Sequence, residues 1–266
     1  MSTLNKAAVL LATALLAGPA LASEEVMFPF KADTGNRESL QRGARNYMAY
    51  CSGCHSLKYL RYNRIGKDLA IPDDLLKTNL MFTSGKAGDT ILSSMPGPSG
   101  DPTTPSASET WFGKAPPDLS LETRYRGPDW VYGYLLSFYV DPKRPTGVNN
   151  TMLPNAAMPH VLGDLQGWQT ATFKQEQMAG FWGPMVDETG KPMMETKLEK
   201  FDLAQPGRLK PDEYKAFVGD LVNFMVYAAE PGRNGRMALG WKVMAYIVIF
   251  GICCYLLKKE FWKDVH

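Results

Sequence analysis

The 214 residues 23–236 show no excess of basic charge: 24 Lys and Arg stand against 25 Asp and Glu. A nucleic-acid footprint needs a strong basic surplus, so that class of partner is excluded. No repeat of solenoid length runs through the chain, which sets aside arrays and propellers. Cysteine and histidine are scarce, at four and three in 266 residues. The cysteines fall in two pairs, Cys51 with Cys54 and Cys253 with Cys254. A structural zinc site needs a second pair of ligands at metal spacing, but Cys253 and Cys254 lie in an apolar run and the histidines beyond His55 are isolated. No strand–helix–strand pattern precedes Cys51, as a thioredoxin-like redox pair would require.

What is present at the first pair is Cys51-Ser52-Gly53-Cys54-His55, two cysteines with two spacers followed at once by histidine. This is the attachment signature of a c-type haem. The thiols add to the porphyrin vinyl groups as thioethers, and the adjacent imidazole is thereby held under the iron as its proximal ligand. The expected cofactor is one covalently bound haem c, held by Cys51, Cys54 and His55.

Both ends of the chain carry apolar segments. A short polar start with Lys6 leads into an apolar run over 7–16 and then Ala20-Leu21-Ala22, a small-residue cleavage signal. The run is too short to span a bilayer and reads as a secretory signal peptide over 1–22, removed on export. Residues 237–257 carry Lys242 as their sole charge and are flanked by Arg233, Arg236, Lys258, Lys259 and Lys263, with Trp241 and Trp262 where interfacial aromatics sit. They read as a transmembrane helix, in which Cys253 and Cys254 are apolar filler. Export and covalent haem agree, because bacteria attach haem on the outer side of the inner membrane. The expected organisation is a periplasmic haem domain over 23–236, a single-pass anchor in the bacterial inner membrane over 237–257 and a cytoplasmic tail over 258–266.

Around the haem motif the apolar periodicity is helical. Leu40, Gly43, Ala44, Tyr47 and Met48 recur at spacings of three and four within 39–50. Residues 211–229 open with Pro and acids and carry Phe217, Val218, Leu221, Val222, Phe224, Met225 and Tyr227 as a wide apolar stripe. These two helices are expected to pack together, crossing at Gly43 with Tyr47 filling the crossing. Residues 129–140 read as a third helix containing Trp130, Tyr134, Leu135 and Phe138. The remainder reads as loop: 94–110 and 141–159 are rich in Pro, Gly and small polar residues, and 187–206 is polar with a turn at Thr189-Gly190-Lys191-Pro192. Residues 161–232 hold 7 basic and 11 acidic side chains, a bias expected to steer a basic redox partner, with Glu195 and Glu199 as the positions that test it.

With His55 alone the iron is five-coordinate and open to gases, whereas a second strong ligand makes a closed electron-transfer centre. Three residues are candidates. Met158 is held extended by the following Pro159, in a loop between the third helix and the C-terminal one. Met152 lies six residues earlier, and an extended strand would put His160 on the same side as Met158. Spacing alone leaves the three open.

The accumulated segments resemble the cytochrome c1 family, the haem-bearing subunits of the cytochrome bc1 complex, in its proteobacterial form. The likeness is carried by RGARNYMAYCSGCHSLKYLRYNRIG at 42–66, APPDLSLETRYRG at 115–127, NAAMPHVL at 155–162 and AAEPGRNGRMALGWK at 228–242. The resemblance implies a mainly α, class I c-type cytochrome fold with long loop insertions plus one C-terminal transmembrane helix. It implies Cys51 and Cys54 as thioether anchors, His55 and Met158 as axial iron ligands, Pro117 against the porphyrin, Arg126 as partner of a haem propionate and Trp130 as an aromatic neighbour of the haem, with Arg124 at the surface. It also implies an electron-transfer subunit of quinol:cytochrome c oxidoreductase, taking one electron from the Rieske iron-sulfur protein and passing it to a cytochrome c. Cytochrome b and the lipid bilayer are the further implied partners, in a dimeric complex, with no substrate chemistry on this chain alone. Two other readings share the haem motif. A free membrane-anchored cytochrome c feeding a terminal oxidase would not need the APPDLS and AAEP segments, and a haem enzyme or gas sensor with a vacant sixth position would bind carbon monoxide.

Overall fold

A computed structural model of the chain describes residues 28–82, 85–101, 103–180 and 183–264. The expected signal peptide, 1–22, lies outside them. Helix α1 (Arg37–Tyr50) begins where Asn36 accepts a hydrogen bond from the Ser39 amide at 3.0 Å, with Glu38 in the first turn. Strand β1 (Leu57–Arg61), helices α2 (Tyr62–Asp68) and α3 (Asp73–Asn79), and strand β2 (Thr90–Ile91) follow the haem motif. Helices α4 (Ala107–Phe112), α5 (Glu122–Tyr125) and α6 (Pro128–Leu136) lead to strands β3 (Phe138–Val140) and β4 (Val148–Asn150) and to the short helix α7 (Gly163–Gln166). Strands β5 (Gly167–Gln177), β6 (Ala179–Gly180), β7 (Gly183–Pro184) and β8 (Met194–Pro206) precede the two long C-terminal helices, α8 (Pro211–Ala229) and α9 (Arg233–Phe261). The described residues are mainly helical, and their strands pair only as antiparallel twos: β1 with β2, β3 with β4, β5 with β8 and β6 with β7.

The core is built on α1 against α8. Leu40, Gly43, Ala44, Tyr47 and Met48 are all buried on α1, the face that the periodicity marks. The crossing is at Gly43: a Cβ there would stand 2.0 Å from the Asp220 carbonyl oxygen and 2.7 Å from Phe224 Cβ. Tyr47 fills the space beside it and packs on Phe224 with ring centroids 5.8 Å apart. Asp220 closes the crossing, accepting from Ser39 Oγ at 2.6 Å and from Arg42 at 2.6 and 2.9 Å. On α8 the stripe is buried except for Phe217, which is half-buried with its ring meeting Tyr50 edge-on, while Tyr214 is buried and donates to the Leu135 carbonyl at 2.8 Å.

The third helix is shorter than its pattern. It stops at Leu136, and Phe138–Val140 is strand, with Phe138 opposite Asn150. Side-chain amides cause the stop. Asn150 Nδ2 donates to the Tyr134 carbonyl at 2.8 Å, and Gln169 Nε2 donates to those of Leu136 and Phe138 at 3.0 and 2.7 Å. The last carbonyls of α6 are thus satisfied without further helix.

Residues 187–206 also depart from the loop reading. The turn is there, with Asp187 Oδ1 accepting from the amides of Thr189 and Lys191 at 2.8 and 3.0 Å. Beyond it, β8 pairs with β5 from Gly167 opposite Pro206 to Gln177 opposite Met194 as a long ribbon. The ribbon's acids do not form a uniform face: Glu195 meets Lys197 at 2.9 Å, Lys174 meets Glu176 at 2.6 Å and Lys200 meets Asp202 at 3.0 Å. Glu195, one of the two acids expected to steer a basic partner, is thus paired with a lysine of its own strand.

Helix α9 has 29 residues, none of them buried. At 1.5 Å per residue it is about 43 Å long, more than a bilayer's hydrocarbon core. It continues four residues beyond each end of 237–257. Its first turn is tied to the rest of the molecule. Thr34 and Asn234 exchange two hydrogen bonds of 2.9 Å, and Glu230 accepts from Arg236 at 2.6 Å and from Arg124 at 3.2 Å.

Candidate functional site

The end of α1 delivers the haem motif as a tight turn. The Tyr47 carbonyl accepts from the amides of Cys51 and Ser52 at 2.8 and 3.0 Å, and the Cys51 carbonyl accepts from those of Cys54 and His55 at 3.1 and 2.8 Å. Tyr47 Oη, at the buried helix crossing, donates to the His55 carbonyl at 3.0 Å. The packing that fixes α1 on α8 therefore also fixes the motif. Burial pushes the Cys51 thiol up to about 12, so as a free group it is a protonated thiol, unlike a metal-bound thiolate.

The segment that contains Pro117 is fastened to the residues after the motif. The Leu119 amide donates to the Ser56 carbonyl at 2.9 Å, and Asp118 Oδ2 accepts from the Lys58 amide at 2.9 Å. This brings the Pro117 carbonyl to 2.7 Å from His55 Nδ1. A carbonyl only accepts, so Nδ1 carries the proton and Nε2 keeps its lone pair. Burial holds His55 below the ordinary imidazole range, opposed in part by the bond to Pro117. A neutral, oriented imidazole is what a metal needs. This carbonyl role of Pro117 has no signal in the sequence, because it belongs to the backbone.

Cys51, Cys54, His55, Pro117, Arg126, Trp130 and Met158 all line one cavity of about 240 Å³. Its remaining walls are chiefly apolar, with Leu135 from α6 and Leu221 and Met225 from α8. Met225 was legible only as part of the α8 stripe, yet it brings a second thioether to this lining. Arg126 donates from Nε to Glu122 at 2.7 Å, and its guanidinium lies 4.1 Å over the Trp130 ring, which in turn stacks on Tyr134.

Neither competitor of Met158 lines the cavity. Met152 packs instead towards Gly133. His160 is not on the same side as Met158, because the segment is no regular strand: the Val161 amide donates to the Pro159 carbonyl at 2.9 Å, a turn centred on His160 that sends the ring away. Burial takes His160 down to about 4, so the ring is neutral. Among the described residues no cluster of three or more His, Cys, Asp or Glu is arranged to hold a metal ion.

A family model described as Cytochrome C1 family matches residues 28–265. The chain belongs to the cytochrome c1 family. It is 44% identical to Cytochrome c1 of Allochromatium vinosum over 97% of this chain and 99% of that protein. It is 39% identical to the Ammonia monooxygenase gamma subunit of Nitrosomonas europaea over 88% of this chain and 86% of that one. A solved chain of "Hyperthermophilic respiratory Complex III" covers 99% of each chain at 18% identity, but a TM-score of 0.41 is too loose a superposition to carry an argument. As a cytochrome c1 family member the chain is an electron-transfer subunit of the bc1 complex, a membrane-bound oxidoreductase, in partnership with cytochrome b and the Rieske protein. Its cofactor is covalently bound haem c. The donor set fits that group: two thiols at the attachment spacing, an imidazole with its Nε2 lone pair available, a thioether and apolar walls.

Proposed function

We propose that Cys51 and Cys54 would hold the haem as thioethers and that His55 Nε2 and Met158 Sδ would ligate its iron. The observation that carries this reading is the convergence of the four side chains on one cavity, with His55 already oriented by the Pro117 carbonyl. When bound, haem c supplies a one-electron ferric–ferrous couple. The chain's own residues set how that couple behaves. Pro117 fixes the tautomer and plane of His55, and the Met158 thioether raises the potential relative to a second imidazole. Leu135, Leu221 and Met225 keep water from the lining. Arg126 offers its Nη groups to a propionate, with Glu122 and Trp130 holding the guanidinium in place.

A cavity closed by two strong ligands makes the chain a relay. It takes one electron from the Rieske iron-sulfur protein and yields it to a cytochrome c, as one subunit in each half of a dimeric complex. The haem domain, 23–236 after loss of 1–22, lies on the periplasmic side. Lys258, Lys259 and Lys263 beyond the apolar part of α9 favour a cytoplasmic tail over 258–266.

The test uses His55→Ala in membranes that contain the assembled complex. Quinol-driven reduction of the Rieske cluster is expected to persist while reduction of soluble cytochrome c falls to background. Undiminished reduction of cytochrome c in that variant would overturn the reading. Protease added to spheroplasts reads the topology, and is expected to digest the haem domain from outside.

A further inference from the structure

We propose that His160 is a positioning residue for Met158: its ring, seated between Phe138 and Trp168, pins the turn that carries the thioether to the cavity. The proposal rests on the reading of Met158 as an axial ligand. A methionine reaches its target on three rotatable bonds from whatever backbone bears it, so a thioether on a loop holds a fixed position only if the loop is fastened nearby. Two backbone hydrogen bonds shape this loop before α7 begins, from Val161 to Pro159 at 2.9 Å and from Gly163 to His160 at 3.1 Å. They turn the chain at His160, so that Met158, Pro159 and Val161 face the cavity while the imidazole faces the other way.

The ring enters a built seat. It stacks on Phe138 with centroids 4.9 Å apart at 9°, and meets Trp168 edge-on at 5.8 Å and 86°. Gly163 completes the seat by having no side chain. A Cβ there would stand 3.2 Å from His160 Cδ2 and 3.3 Å from the Trp168 ring. The walls are themselves held. Gln169 Nε2 binds the Phe138 carbonyl at 2.7 Å, and Phe138 meets Tyr134 at 5.1 Å. Tyr134 lines the cavity. The contacts therefore run from the cavity wall through Tyr134 and Phe138 to His160 and return to the cavity at Met158. The Phe138 and Trp168 contacts need only a flat ring, so an aromatic replacement keeps them while giving up the imidazole's approach to Gln166 and the Gly167 backbone.

The experiment compares purified holoprotein of the wild type with His160→Ala, His160→Phe, Gly163→Ala and Met158→Leu. Three quantities are read: the methionine-to-ferric-iron charge-transfer band, carbon monoxide binding by the reduced form and the melting temperature. His160→Ala is expected to lose most of the band and, in the reduced form, to bind carbon monoxide, which the wild type excludes. His160→Phe should retain both wild-type properties, and Gly163→Ala should show a partial loss. If His160→Ala lowers only the melting temperature, with the band and the exclusion of carbon monoxide intact, the proposal is overturned. If His160→Ala does not accumulate, Gly163→Ala decides: a weakened band supports the proposal and an unchanged one refutes it. Met158→Leu separates the two levels, since a band that survives there removes the ligand reading itself, whatever the His160 variants do.

Discussion

At the scale of single residues, the haem motif was legible because covalent attachment fixes both residue types and spacing. The hydrogen bond that orients His55 was not, since its acceptor is the Pro117 carbonyl, which any residue would supply. Spacing alone left the choice among Met158, Met152 and His160 open, and in the sequence only the family resemblance favoured Met158. An extended strand puts 158 and 160 on one side, and only the turn at His160 separates them. Tyr47 links this scale to the next, through its bond from the helix crossing to the His55 carbonyl. Tyr47→Phe keeps the ring and removes that bond, and is expected to cost about 1 kcal/mol, read from the denaturation midpoint. A variant as stable as the wild type would show that the hydroxyl contributes nothing there.

At the scale of elements, α1 could be read because it buries one face in the core and so keeps a helical period, and α8 because its apolar run, buried on all sides over 221–228, follows a proline and acids that mark a helix start. Their contact is narrow. Gly43→Ala drives a methyl against the Asp220 carbonyl, and no flexible side chain is there to move aside. It should cost about 3 kcal/mol or abolish accumulation of holoprotein. Gly53→Ala, inside the haem motif, meets nothing within 4 Å and should change stability by less than about 0.5 kcal/mol. Equal effects of the two substitutions, measured by thermal melting, would contradict this account of the crossing. The end of α6 was illegible because Phe138 continues a helical apolar pattern, and the amides that stop the helix come from Asn150 and Gln169, far along the chain. The β5–β8 ribbon escaped notice for another reason. Beyond its base at Gly167 and Gln169, solvent reaches both of its faces, and its register shifts at Trp168/Gln169 and Thr172/Phe173, so no sustained apolar alternation runs along it in the sequence.

At the scale of the whole molecule, haem domain and anchor meet at Glu230, which binds Arg236 and Arg124 together. The hydrogen bond from Arg236, then the charges of Arg236, Arg124 and Arg233, hold the Glu230 carboxyl below the ordinary 4.5 despite some desolvation. A depressed carboxyl contributes to stability above its free value, and that contribution is lost as pH falls through 4.5 and below. Protection of the first-turn amides of α9, taken relative to the intrinsic exchange rate at each pH, is therefore expected to fall on acidification through that range in the detergent-solubilised protein. Glu230→Gln should show the lowered protection already at neutral pH. Exchange in the variant that matched the wild type at neutral pH would argue that Thr34 and Asn234 alone fasten the anchor.

The relay account stands or falls on the sixth ligand, and the most direct measurement is a redox and optical titration of the wild type beside Met158→Leu, with carbon monoxide added to the reduced forms. The account predicts a low-spin wild type with a positive potential that ignores the gas. The variant should lose several hundred millivolts, on the order of the range that axial ligands set, and bind carbon monoxide. A wild type that takes up carbon monoxide, or a variant whose potential is unchanged, would contradict it.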